Sequence, residues 1–290
     1  MATNFRPRRS VLYMSGSNSR ALEKARDLEA DCLIFDLEDA VAPEAKEKAQ
    51  SQIAAAIRAG GYGQREIIIR TNAVETKWFS SDAATVAASN ADAVLLPKIE
   101  SPATIKEAIR QLNKAGATSD LPIWIMAETP RGVLDLDDII AAEPRVTVIV
   151  MGTSDLAKEM RIQPTTGRTG LTYSLAHCVL TARAHGLDII DGVHLALDDT
   201  EGLKTACQQG RELGFDGKSL IHPRQIAAAN EHFGVSATEV GSAREIIEAW
   251  KTARKEGHGL TVVNGQLIEQ LHVDDAERVL AIFTAIQKLD

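Results

Sequence analysis

The chain has 290 residues, 44% of them hydrophobic and 25% charged, enough to bury a sizeable core in one large domain or two ordinary ones. Lys and Arg number 32 against 40 Asp and Glu, a formal charge of −8 that argues against a broad nucleic-acid footprint or an attraction to acidic membranes. The three cysteines, Cys32, Cys178 and Cys207, stand far apart without metal-ligand spacing and read as buried thiols of a reducing compartment.

Along the chain, the first run, SVLYM at 10–14, follows RPRR in a manner reminiscent of a twin-Arg export start. Its apolar stretch ends at Met14, however, and no spanning segment appears elsewhere, so a soluble, cytoplasmic protein is expected. Gly16 marks a strand-to-helix turn flanked by Arg6, Arg8, Arg9 and Arg20, which read either as a grip on phosphates or as a solvated basic tail.

CLIFD at 32–36 has the look of a strand buried on both faces, yet it runs into Asp36, Glu38 and Asp39, which either cap the next helix or face something positive. EIIIRT at 66–71 ends near Arg70, AVLLPK at 93–98 ends in Lys98, and PIWIMAE at 122–128 ends in Glu128. VTVIVMG at 146–152 leads to Asp155, LDIIDGV at 187–193 contains Asp191, and FDGKSLI at 215–221 contains Lys218, with His222 just beyond. Helical stretches such as SRALEKARDLEA and SPATIKEAIRQLNKAG alternate with these eight runs, the latter closed by a Gly stop signal.

This alternation predicts parallel βαβ units and favours a closed (β/α)₈ TIM barrel over residues 1–235. Residues 236–290 read as a C-terminal helical extension packing on the barrel or on a neighbouring subunit: helical near Ser242–Glu256, then GHGLTVVNGQLIEQ, then helical again from Asp274.

In such barrels the reacting groups stand at the carboxyl ends of the strands. A charge at seven successive strand ends is hard to assign to solvation alone. Glu128 and Asp155 end adjacent strands, and oxygen donors without His or Cys beside them suit Mg²⁺ better than Zn²⁺. Equally open on spacing alone is a helix N-cap at Asp155 and an ion pair at Glu128. Arg70 can grip a carboxylate bidentately or neutralise the acidic cluster after the second strand, and the two roles are compatible. Lys98 reads as an ion-pair partner ahead of a Schiff-base amine.

The runs RRSVLYMSGSN, LIFDLEDAVAPEAK, IIIRTNAVET, LLPKIES, AETPRGV, MGTSDLA and GFDGKSLIHPRQI together resemble the citrate lyase β-subunit and malyl-CoA lyase family. That resemblance implies a Mg²⁺-dependent (β/α)₈ enzyme that cleaves a 3-hydroxy-3-carboxyacyl-CoA, of malyl-, citramalyl- or citryl-CoA type, to acetyl-CoA and a 2-oxo acid. By motif it implies metal ligation by Glu128 and Asp155, with Glu128 also facing substrate, and contact of Arg70 with the 2-oxo acid carboxylate. Asp36, Glu38, Asp39 and Lys98 would then hold metal-bound waters and orient the ligands and Arg70.

Two departures from the family pattern stand out. Ser15 and Ser19 replace the prolines that usually flank Gly-Ser-Asn, and GQLIE places Glu269 where an acid/base Asp is usual, adding a methylene to its reach. The shared-site tail of the family implies a homo-oligomer, with a trimer favoured. Alternatives left open are a CoA-independent 2-oxo acid aldolase and a β-subunit acting on an acyl carrier protein thioester.

Overall fold

The computed structural model describes residues 5–289. They fall into two compact units, one spanning Arg8–Phe233 and one formed by the chain from Gly234 together with the short stretch before Arg8. In the first, eight parallel strands close on themselves: β1 (Ser10–Ser15), β2 (Cys32–Asp36), β3 (Glu66–Arg70), β4 (Ala93–Leu96), β5 (Ile123–Ala127), β6 (Val146–Met151), β7 (Asp188–Asp191) and β8 (Gly217–Leu220). Ser10 pairs with Lys218 to complete the circle, and helices surround it, so the fold is the expected (β/α)₈ barrel.

Every residue of β2, β3, β4 and β5 is buried, because one side chain in two packs inside the barrel and the next packs under the helices. Ile34, Ile68, Leu95, Trp124, Val148, Val150 and Ile190 form the inner core. Leu33, Phe35, Ile69, Ile125 and Ile149 belong to the outer one. Each such aliphatic side chain contributes about 1.5–3 kcal/mol on burial, which is why these runs carry no polar residue until the strand ends.

The helix Pro102–Ala115 shows how the connections are specified. Ser101 Oγ accepts from the Thr104 N–H at 3.1 Å, and Pro102 fills the first turn, where its missing N–H costs nothing. Ile105, Ala108, Ile109 and Leu112 form the buried stripe, and Gly116 ends the helix at φ 94.

At the amino end of the barrel Arg8 donates to Glu66 at 2.7 and 3.0 Å, pairs with Asp188, and lies 5.4 Å from the Trp124 ring centroid. Arg9 grips Asp31 at 2.9 and 2.8 Å. This corrects the sequence expectation for both arginines: they are neither a phosphate grip nor a solvated tail but ion pairs that close the face opposite the strands' carboxyl ends.

The C-terminal unit contains the helices Ala237–Lys255 and Gln270–Ile286 and, between them, an antiparallel hairpin of β9 (Thr261–Val263) and β10 (Gln266–Ile268). Its turn residues Asn264 and Gly265 have φ of 50 and 79, the left-handed pair that a tight two-residue hairpin needs. Trp250, Ile268 and Val273 form its small core. No helix among the described residues is long and apolar enough to cross a membrane.

Candidate active site

Side-chain parity decides which strand-end charges face the barrel mouth. On β2, Cys32 and Ile34 point inward, so Asp36 does too; on β3, Ile68 sets the same parity for Arg70; on β5, Trp124 and Met126 set it for Glu128. On β7 the inward residue is Ile190, which turns Asp191 outward.

Asp36 and Arg70 are register partners on β2 and β3. Arg70 donates to Asp36 from Nε at 2.6 Å and from Nη2 at 2.7 Å, and Asp36 also accepts the backbone N–H groups of Glu38 at 2.9 Å and Ala40 at 3.0 Å. Burial opposes ionisation of Asp36, but the Arg70 charge and these donors hold its carboxyl below the ordinary range. The guanidinium lies 4.7 Å from the Tyr13 ring centroid, and its Nη1 is 3.7 Å from Met126 Sδ.

The same Nη1 is 3.0 Å from Glu38 Oε2 and 3.7 Å from the exposed Asp39 carboxylate. Glu38 Oε2 is buried without a hydrogen-bond partner. Burial, reinforced by the charges of Glu128, Asp39 and Asp36 and only partly offset by Arg70, pushes the Glu38 carboxyl up to about 8.

Glu128 and Asp155 approach one another through Lys98. The Lys98 ammonium is 2.5 Å from Asp155 Oδ2 and 3.7 Å from Glu128 Oε1, while its backbone N–H donates to Glu128 Oε1 at 2.8 Å. Lys98 adopts φ 53, an uncommon conformation for a non-glycine residue, and that twist lets one residue address Glu128 from its backbone and Asp155 from its side chain. Burial opposes the Lys98 charge, but the bond to Asp155 and the charge of Glu128 raise its pKa. Glu128 is itself raised, chiefly by burial.

Gly152 is required beside this pair, since a Cβ there would lie 2.2 Å from Glu128 Cβ and 2.7 Å from Glu128 Oε2. The two carboxylates offer hard oxygen donors, and among the described residues no group of three or more His, Cys, Asp and Glu is gathered for a metal. A pair of carboxylates fits Mg²⁺, which keeps most of its waters, and does not fit a structural Zn²⁺ site.

The structure turns two sequence candidates, Asp191 and Lys218, away from this mouth. Asp191 accepts from Arg168 Nη1 at 2.7 and 2.8 Å and from Lys218 Nζ at 2.8 Å, outside the strands and against Gly210 of the helix Thr200–Leu213. Burial opposes its charge, but Lys218 and Arg168 hold its pKa down. His222 Nδ1 accepts from the Arg224 N–H at 3.1 Å and caps a short helical turn. At the first turn, Asn18 Oδ1 takes the Ala21 N–H at 3.1 Å, and Ser15 Oγ donates to the Ala40 carbonyl at 2.7 Å, a tie that a proline could not make. Glu269 lies exposed in the C-terminal unit, where its N–H donates to His272 Nδ1 at 3.0 Å.

Sequence reasoning missed Tyr13, Met126, Lys46 and Asn72. Lys46 is buried, and its ammonium donates to the carbonyls of Leu37 and Glu38 and to Asn72 Oδ1 at 2.7, 2.8 and 2.6 Å. A lysine at the start of an amphipathic helix ordinarily signals a solvated face, and nothing local marks this one as different.

The model of the HpcH/HpaI aldolase/citrate lyase family matches residues 9–223. Over 286 residues the chain is 46% identical to a (3S)-malyl-CoA thioesterase of Cereibacter sphaeroides, covering 99% of this chain and 98% of that protein. An L-malyl-CoA/beta-methylmalyl-CoA lyase of the same species is 30% identical over 299 residues, covering 95% of this chain and 94% of the other. Among solved structures, the CitE protein of Mycobacterium tuberculosis, in complex with magnesium, acetoacetate and coenzyme A, superposes with a TM-score of 0.76 at 25% identity, covering 96% of this chain and 98% of that one. Barrel, motif order and full-length similarity agree: the chain belongs to the HpcH/HpaI aldolase/citrate lyase family.

Proposed function

We propose that the protein is a Mg²⁺-dependent carbon–carbon lyase acting on a 3-hydroxy-3-carboxyacyl-CoA of malyl-, citramalyl- or citryl-CoA type, with acetyl-CoA and a 2-oxo acid as products. The observation that carries this reading is the presence, at one end of one barrel, of a guanidinium anchored by Asp36 and of two carboxylates joined through Lys98. The complex of the M. tuberculosis relative with magnesium, acetoacetate and coenzyme A supports it.

Asp36 takes Nε and Nη2 of Arg70, and Nη1, which stands 3.0 Å from Glu38 Oε2, is the edge that would meet the carboxylate of the 2-oxo acid portion alongside Glu38. Glu38, neutral below about pH 8, can donate to the same carboxylate and so satisfy its orphaned oxygen. A magnesium ion held by Glu128 and Asp155 would supply Lewis-acid stabilisation of negative charge on the substrate hydroxyl oxygen, worth several kcal/mol. The hydroxyl proton passes to water, the hydroxyl carbon becomes the carbonyl of the 2-oxo acid as the carbon–carbon pair moves to the α-carbon of the thioester, and protonation there gives acetyl-CoA. Glu269, contributed by a neighbouring copy in a closed ring, is the proposed proton donor, and a trimer is the favoured assembly.

A second reading is hydrolysis of the same thioester, favoured by the 46% identity to a malyl-CoA thioesterase. Both readings bind the same acid end and differ in the bond broken. Incubation of the Mg²⁺-loaded protein with acetyl-CoA and, separately, glyoxylate, pyruvate and oxaloacetate tests the lyase reading by reversal. One acid should give an adduct of the summed mass; release of free CoA without any adduct would favour hydrolysis.

A further inference from the structure

Lys46 opens the helix Lys46–Ala59 and is only 5% exposed, yet no carboxylate hydrogen-bonds its ammonium. Its three acceptors are neutral, and the Trp78 ring centroid lies 5.1 Å away. Burying an ammonium is costly unless its hydrogen bonds are complete, and here all three donors are used. The position therefore demands a role that a smaller apolar residue would not fill.

The acceptors identify that role. Leu37 and Glu38 belong to the loop after β2, whereas Asn72 belongs to the loop after β3. Asn72 is itself fixed, since its Nδ2 donates to the Leu37 carbonyl at 3.0 Å and to Asp82 at 2.7 Å, and its N–H donates to Asp82 at 2.8 Å. One ammonium thus ties the loop carrying Glu38 to the loop that follows Arg70, two residues upstream of Asn72. The Glu38 carbonyl is held from below while its carboxyl is left beside Arg70 Nη1 at 3.0 Å.

We propose that Lys46 is a positioning residue that fixes Glu38 and Arg70 at the spacing a 2-oxo acid carboxylate requires, and so sets affinity for that acid. The inference rests on the lyase reading of the site. A lost hydrogen bond to a charged group weakens binding by about 10–100-fold, so loss of the tie should be visible in ligand affinity. A lysine that served folding alone would, once the variant is folded, leave that affinity unchanged.

The test is calorimetric titration of wild type, Lys46→Met and Asn72→Ala, first with Mg²⁺ and then, in saturating Mg²⁺, with glyoxylate and with pyruvate. Lys46→Met should bind the acid that wild type prefers at least about tenfold more weakly, Asn72→Ala should show a smaller loss, and Mg²⁺ affinity should be preserved in both, since its ligands stand on other strands. Unchanged acid affinity in folded Lys46→Met, or equal weakening of acid and Mg²⁺, would overturn the inference. If Lys46→Met does not fold, the same criteria applied to Asn72→Ala decide. Wild type that binds Mg²⁺ but neither of these acids nor oxaloacetate would remove the lyase reading and this inference with it.

Discussion

Arg70 gives two of its N–H groups to the two oxygens of Asp36, at 2.6 and 2.7 Å, from the neighbouring strand and in direct register. Both residues are buried, Asp36 completely, so neither charge is tolerable without the other. Breaking such a pair by removing one partner costs about 3–5 kcal/mol. Asp36→Ala should show a loss of this size in urea unfolding, whereas Asp39→Ala, at an exposed carboxylate 3.7 Å from the guanidinium, should cost less than about 1 kcal/mol.

Gly152 and Glu128 touch across β5 and β6. Because a Cβ at 152 would fall 2.2 Å from Glu128 Cβ, Gly152→Ala must displace the carboxylate expected to ligate the metal. Mg²⁺ affinity measured by calorimetry should fall by about 10–100-fold, the range seen when the support of a ligand is lost. An unchanged affinity would show that Glu128 is not a ligand.

Mg²⁺ binding should release protons. In the metal-free protein burial raises the carboxyl group of Glu128, and a divalent cation bound to it favours its ionised form. The apparent heat of Mg²⁺ binding at pH 7 should therefore differ between buffers of different ionisation enthalpy, and affinity should rise from pH 6 to pH 8. Identical heats in the two buffers would contradict the assignment.

Glu38 also sets a slope of stability against pH. Its folded pKa, raised from 4.5 to about 8, means that between those values the folded chain holds a proton that the unfolded chain has released. Its contribution to stability is complete below the ordinary carboxylate value and is lost as pH rises through about 8. Thermal unfolding of the metal-free protein should show that decline, and Glu38→Gln should flatten it.

Much of this was readable before any coordinates. Two-faced apolar runs alternating with helical stripes give the barrel, because only strands covered on both sides need continuous hydrophobicity. The run ending at Asp36 left open whether its carboxylates cap the next helix or face a positive group, and Asp36 faces Arg70. Strand-end charge alone overcounted: Asp191 and Lys218 satisfy one another under a helix, a distinction that depends on parity within a four-residue strand rather than on charge. The hairpin at Asn264 and Gly265 carried a turn signal in its Asn-Gly pair. Lys46 carried none, since its partners are backbone carbonyls and an amide brought together only by the closure of the barrel.

The most direct measurement is product analysis after Mg²⁺-loaded protein is given (3S)-malyl-CoA, with free thiol and glyoxylate assayed together and a parallel sample in EDTA. The account predicts glyoxylate and acetyl-CoA in equal amounts, no early free CoA, and no turnover in EDTA. Malate with an equivalent of free CoA, or turnover that survives the chelator, would contradict it.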